Sequence, residues 1–216
     1  MKTKDRILLT SLALFNEEGE PNVTTVDIAA EMDISPGNLY YHFKGKDAII
    51  ESLYLTMEHQ LEKLLQGPAT DDIDVENTWL YLYVIFEEIY NYRYFFRNIA
   101  DLLLRYPSIA KRFRRLIDKM RSTAVAMLQL LDANGIAAFE EHAIDSLADN
   151  ISLVITYWMN FIEIEAKTAD NHVLLIHRGV FQVMSLIAPH LEPSYQIFYA
   201  QCRQLFDAVA DELDAD

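Results

Sequence analysis

TTVDIAAEMDISPGNLYYHFKGKD, residues 24–47, reads as two short helices joined by a tight turn. Thr24 can cap the first helix, and Asp27 three positions on completes a capping-box pattern. Ile28, Met32, Ile34 and Leu39 are apolar at spacings that let one small helix pack across another. Met32-Asp33-Ile34 makes the turn, where Asp33 tolerates a left-handed backbone better than a branched residue would. Ser35 then caps the second helix, and Pro36 takes its first position, where no amide hydrogen is missed. The pattern is a helix-turn-helix, a geometry that commonly sets its second helix in a DNA major groove.

Outward from this stretch the chain is helical almost throughout, with apolar residues recurring at helical spacing and strand signals nearly absent. A first helix is expected over about Thr3 to Glu18, with Ile7, Leu8, Leu12, Leu14 and Phe15 facing inward, ending at Gly19. After the motif, Gly45 opens a connecting helix from about Lys46 to Gln66, closed by Gly67-Pro68, and an acidic linker follows from Ala69 to Asp74. Beyond it the expected helices run about Val75 to Tyr94, Phe95 to Tyr106, Pro107 to Asn134, Phe139 to Lys167, Asp170 to Leu191 and Pro193 to Leu213. The predicted fold is all-α. An N-terminal three-helix helix-turn-helix head (1–50) is joined by the connecting helix to a C-terminal helical bundle that binds ligand and dimerises (51–216).

Bulk composition narrows the class. In 216 residues, half of them apolar, a sizeable core can form. Cys202 stands alone, which excludes an internal disulfide framework and suits a reducing compartment. Met1 to Arg6 lead into an amphipathic run without a secretory pattern. The longest charge-free apolar stretch, Asn150 to Ile162, is shorter than the roughly 18–20 residues that span a bilayer, so a cytoplasmic protein with no membrane partner is expected. The net charge of −15 argues at first against nucleic acid. Residues 1–50 carry five Lys and Arg against eight Asp and Glu, so the head is less acidic than the body but not basic. Its cations, Lys2, Lys4, Arg6, Lys44 and Lys46, flank the motif, and Glu17, Glu18 and Glu20 can lie on a surface turned away from DNA.

ILLTSLALFNEEG, TTVDIAAEMDIS and PGNLYYHFKGKDAII, taken together, resemble the TetR family of bacterial transcriptional regulators over the first ~50 residues. The aromatic-His-Phe run in LYYHFKGKD carries the resemblance furthest, and Asp33 departs from the glycine common at that turn. Beyond residue 50 the likeness is one of length and helical layout only. It implies a homodimeric regulator of operator DNA, a repressor, with a small-molecule effector. It also implies that Tyr40 and His42 hydrogen-bond phosphates while Phe43 packs inward; Tyr41 can share either role.

The residues themselves support a DNA-reading surface. Asn38 lies in the first turn of the second helix, and its amide can donate and accept in one plane, the pattern adenine displays. Gly37 lets the helix approach base edges. Thr24, Thr25 and Ser35 can give hydroxyl contacts to phosphate as well as caps. Lys46, at the start of the connecting helix, suits a phosphate. The DNA-contacting set is therefore Thr24, Thr25, Ser35, Pro36, Gly37, Asn38, Tyr40, Tyr41, His42 and Lys46, and for each polar member the alternative is a solvated or structural side chain.

Specific sites normally need two heads about 34–36 Å apart. In the helix from Phe139, Ile144, Leu147, Ile151, Ile155, Trp158 and Ile162 form one apolar stripe; Leu153, Tyr157, Phe161 and Ile164 form another. One can serve the subunit's own core while the other meets a partner. The interface candidates are Ile151, Ile155 and Ile162 with Ile176, Val180, Val183 and Ile187 of the next helix, and the last helix, with Phe198, Leu205 and Phe206, can pack on either surface. Aromatic residues concentrate between Trp79 and Phe96, and Phe113, Met120 and Met127 share a face of the following helix. Phe86, Tyr90, Phe113, Met120, Tyr157 and Trp158 are the candidate lining for an apolar or aromatic effector, with plain core as the alternative.

Enzyme chemistry finds no support: there is no Gly-rich phosphate loop, no Cys-His pair placed by spacing and no HExxH. No catalytic residue, metal or cofactor is expected. His142 and Asp145 are more readily solvated than metal-bound. A helical adaptor that kept the head and lost specific DNA binding is the alternative reading.

Overall fold

The computed structural model describes residues 2–67, 74–140, 142–165 and 171–213. Within them the chain forms α1 (Thr3–Glu18), α2 (Thr25–Glu31), α3 (Pro36–His42), α4 (Lys46–Leu64), α5 (Val75–Asn91), α6 (Arg93–Arg97), α7 (Ile99–Arg105), α8 (Pro107–Ala133), α9 (Ala143–Glu165), α10 (His172–Ile187) and α11 (Pro193–Leu213). The acidic linker at 69–73 lies outside the described residues, as do the side chains of Phe198, Leu205 and Phe206. No strand forms among the described residues. A single antiparallel bridge between Ala137 and Leu191 ties the α8–α9 connection to the end of α10.

α1 to α3 close a small head around Ile7, Phe15, Val23, Ile28, Ala29, Leu39 and Phe43, all buried. α4 runs out of this head and packs on α5 and α8, burying Leu53, Tyr54, Met57 and Leu61. In the body α9 lies against α6, α8 and α10, and α10 lies between α5 and α9. The all-α layout of head, connecting helix and bundle thus follows the hydrophobic pattern of the sequence.

Some boundaries differ from the sequence-based expectation: α9 starts at Ala143 rather than Phe139, and the aromatic segment divides differently. The aromatic segment breaks twice, at Tyr92 and Asn98, giving α5, α6 and α7 where two helices were expected. Side chains replace the helical bonds at both breaks. Asn16 of α1 donates its amide to the Asn91 carbonyl (2.8 Å) and accepts from the Tyr94 amide (3.0 Å). Asn98 donates to the Tyr94 carbonyl (3.2 Å).

His172–His190 meets the length and composition of a membrane-crossing helix, although Arg178 interrupts its charge-free run. Half of it is buried inside the fold, because α10 is a core helix of the bundle.

Candidate nucleic-acid interface and internal cavity

The helix-turn-helix forms through short-range hydrogen bonds that the sequence spells out. Thr24 Oγ1 accepts from the Asp27 amide (3.3 Å), and the Thr24 amide donates to Asp27 Oδ2 (2.8 Å). The Thr24 hydroxyl also donates to that carboxylate (2.6 Å); this bond, before the backbone ones, holds the Asp27 carboxyl below the usual range. Asp33 takes φ +53°, the left-handed conformation expected at the turn. Ser35 Oγ accepts from the Asn38 amide (3.2 Å), and Pro36 fills the first helical position. Leu39 and Phe43 then anchor α3 in the head.

With those two anchored, the opposite side of α3 faces solvent. Ser35, Pro36, Gly37 and Asn38 are exposed, Tyr40 and Tyr41 are 57% and 78% exposed, and His42 is half-buried edge-on to Tyr41. Lys44 places its ammonium 4.6 Å from the Tyr40 ring centroid, adding a cation beside the exposed phenol. Thr24 is exposed and Thr25 half-buried at the N-terminus of α2. Nine of the ten expected contact residues therefore remain at the surface of the head.

Lys46 is the exception. Its ammonium lies 2.9 Å from Glu20 Oε1, donates also to the Glu20 main-chain carbonyl, and sits over the Phe15 ring. Glu20, expected on an outward surface, is instead wholly buried, and its carboxylate also pairs with Arg105 at the end of α7. A carboxylate buried this deeply needs compensating charge, and only Lys46 and Arg105 supply it among the described ion pairs. The Lys46 ammonium is thus engaged with Glu20 inside the head, beside the Arg105 contact that reaches the body, rather than turned out to meet phosphate. The same junction holds a bond from the Tyr106 hydroxyl to Asp47 Oδ1 (2.6 Å); burial first, and then Asp47, push that phenol's pKa up and keep it a donor.

The body holds an apolar cavity of about 30 Å³. Leu65, just past the end of α4, forms part of its wall; Thr78, Tyr81, Leu82 and Ile85 come from α5, and Met120, Thr123, Ala124, Met127, Leu128 and Leu131 from α8. α9 and α10 close it with Ile151, Ile155, Val183 and Ile187.

Of the expected effector-lining residues only Met120 is in this wall. Phe86, Phe113 and Trp158 are buried packing elsewhere in the core; Phe113 meets Phe95 and Phe96, while Phe86 and Trp158 crowd Gly179. Tyr90 stacks on His172 and under Arg93, away from the cavity. Tyr157 is half exposed on the outer face of α9.

The interface candidates need correction too. Ile151, Ile155, Val183 and Ile187 line the cavity, and Ile162, Ile176 and Val180 are buried within the same subunit, so none is free to meet a second copy. The stripe left on the surface of α9 is the alternative one: Leu153, Tyr157, Phe161 and Ile164, the last 84% exposed. Helical periodicity reveals two stripes but does not say which one the other helices cover.

The fold and this head define a helix-turn-helix protein with a helical body. Residues 7–53 match the family described as bacterial regulatory proteins, tetR family, and residues 56–198 match TetR, bacterial transcriptional repressor. The chain belongs to the TetR family of bacterial transcriptional regulators. A TetR-family transcriptional regulator from Marinobacter aquaeolei VT8 is similar in structure, with a TM-score of 0.85 and 34% identity over 95% of this chain and 99% of that one. The probable HTH-type transcriptional regulator YttP of Bacillus subtilis is 27% identical over 109 residues, 50% of this chain and 52% of YttP, so the match spans about half of that relative. The negative transcriptional regulator IcaR of the icaADBC biofilm operon, from Staphylococcus aureus, is 42% identical over 48 residues, 22% of this chain and 26% of IcaR. These are families of regulators, not of enzymes.

Proposed function

We propose that the chain represses transcription in the cytoplasm by binding operator DNA as a homodimer, and that a small apolar molecule in the body relieves repression. The head, residues 1–50, reads the DNA, and residues 51–216 bind the effector and pair the subunits. The observation that carries this reading is the outward face of α3: Gly37, Asn38, Tyr40 and Tyr41 are exposed while Leu39 and Phe43 hold the helix in place. Asn38 meets a base edge, and Thr24, Thr25, Ser35, Tyr40, Tyr41 and His42 position the head on phosphates, with Gly37 and Pro36 allowing the close approach. Because the head is not basic, affinity rests on these placed contacts and on two heads engaging together rather than on bulk charge.

Pairing is assigned to the exposed stripe of α9. Leu153, Tyr157, Phe161 and Ile164 form a contiguous apolar edge that a two-fold partner can cover. An effector that changes the tilt of α4 changes the head separation, and both half-sites can then no longer be held at once.

The test is a binding-shift titration against a selected operator. Asn38→Ala is expected to weaken specific binding by roughly 1–3 kcal/mol, about 5- to 150-fold, while leaving nonspecific binding unchanged. Unaltered specific binding in that variant, or no sequence enrichment from random oligonucleotides, overturns the reading and favours an adaptor that has lost DNA recognition.

A further inference from the structure

The wall of the body cavity presents an apolar surface, and its three polar side chains are all turned away to main-chain carbonyls. Thr78 Oγ1 donates to the Asp74 carbonyl (2.7 Å), Tyr81 to the Leu64 carbonyl (2.9 Å) and Thr123 Oγ1 to the Leu65 carbonyl (2.8 Å). Tyr81 is the one titratable group in the wall; burial pushes its pKa up to about 12, so it is neutral. A carboxylate or ammonium entering here would find no counter-charge and no unused donor, a heavy desolvation penalty. The nearest basic run, on α8, is engaged elsewhere in part: Arg112 pairs with Glu58, and Arg121 with Asp145 and Asp149.

Two of those three hydrogen bonds fall on one place, the C-terminal end of α4. Leu65, whose carbonyl Thr123 holds, is itself part of the cavity wall, and Gly67 just beyond it takes φ +97°, a conformation that frees the chain from the helix. The void of about 30 Å³ is far smaller than the roughly 150 Å³ that accommodates a benzene ring, so an aromatic guest must push the walls apart. Met120 and Met127 can yield by changing rotamer, but a guest that outgrows that slack presses on Leu65.

We propose that this cavity takes an uncharged apolar molecule without hydrogen-bonding groups, of the alkylbenzene or fused-ring hydrocarbon class, and that it reports occupancy by loosening the Tyr81 and Thr123 clasp on the end of α4. The inference rests on the reading of the body as an effector domain. It assigns the chemical class of the effector and makes Tyr81 and Thr123 positioning residues for the response, acting through α4 rather than on the ligand.

The experiment uses the full chain and matched probes: p-xylene against p-toluate, and naphthalene against 2-naphthoate. Thermal unfolding with each probe reads binding without reference to DNA. The hydrocarbons are expected to raise the Tm and to bind at least about 100-fold more tightly than their carboxylates. Equal or tighter binding of the carboxylates, or no binding of either hydrocarbon, overturns the ligand class. Ala124→Leu, which fills the void with an apolar side chain, is expected to remove hydrocarbon binding; retained hydrocarbon binding shows that the probe sits elsewhere and sinks the site.

For the readout, Thr123→Val keeps the shape and deletes one clasp bond, and Tyr81→Phe deletes the other. Each is expected to lower by about 5-fold the naphthalene concentration that releases operator DNA, since one fewer bond must be broken. No shift in either variant overturns the clasp. If the wild-type chain binds no operator even without probe, the regulatory reading fails, while the Tm comparison still decides the ligand class.

Discussion

Replacing Arg105 with Met tests whether charge locks the head to the body. The variant keeps the length of the side chain but leaves the Glu20 carboxylate, wholly buried, with Lys46 as its one remaining cation among the described pairs. Removing one partner of a fully buried ion pair costs about 3–5 kcal/mol, whereas an exposed pair is worth about 0–1. Arg105 falls between these cases. Its side chain is 39% exposed and also holds Asp101 (2.8 Å), and Glu20 keeps the Lys46 contact at 2.9 Å, so the expected loss is about 2 kcal/mol.

For a chain of this size that corresponds to a fall in Tm of about 4–8 °C. Glu20→Gln removes the buried charge itself, so adding it to Arg105→Met should cost less than the two single losses together. Calorimetry on the four members of this double-mutant cycle supplies the numbers. Amide exchange at the end of α1 supplies the location, since Asn16 and Glu20 are among the residues that dock the head on α6 and α7. A Tm change below about 2 °C for Arg105→Met, or strict additivity in the cycle, refutes the claim that this junction is an electrostatic lock.

Other perturbations probe separate elements. Gly179→Ala should lower stability by about 1–3 kcal/mol, because a Cβ there would lie 2.7 Å from Phe86 Cε1 and 2.8 Å from Trp158 Nε1, and that indole is already committed to the Leu175 carbonyl; an unchanged Tm would show that both rings can retreat. The Asp27 carboxyl titrates below its ordinary 3.8 in the folded head, so its contribution is complete above that value and is lost as pH falls through the lower folded one. Acid unfolding of the head should therefore steepen below about pH 4, and Thr24→Ala, which costs about 1 kcal/mol at neutral pH, should flatten that limb. Phe161→Glu places a charge on the exposed stripe of α9 and should leave the fold intact while shifting sedimentation from about twice 25.0 kDa to the mass of one chain; a persistent dimer would move the interface elsewhere.

The parts of this protein that the sequence made legible are those fixed by bonds of short range. The cap at Thr24 with Asp27, the left-handed turn at Asp33 and the Ser35-Pro36 start of α3 each depend on residues within a few positions of one another, so their identity and spacing suffice. Their consequence, an α3 with Leu39 inward and Tyr40 outward, follows from helical geometry alone. Apolar periodicity likewise gave the helices of the body and the two stripes of α9.

Which stripe is covered was decided only when α6, α8 and α10 closed around α9, burying Ile151, Ile155 and Ile162 and leaving Tyr157 and Phe161 outside. The cavity is a property of five chain segments at once, and the residues that shape it, Leu65 and Thr123 among them, carry no local signal that sets them apart from ordinary core. Glu20 shows the same divide most clearly. On its own it is an acid next to a proline at a helix end, expected in water; its partners Lys46 and Arg105 stand 26 and 85 positions away, and only their convergence makes its burial possible. The sequence by itself determined where most helices run and how the head presents α3, but not the breaks at Tyr92 and Asn98, the first of which Asn16 of α1 holds from a distance. Tertiary structure decided what each helix faces, because burial and charge pairing depend on which distant residues are brought within a few ångströms.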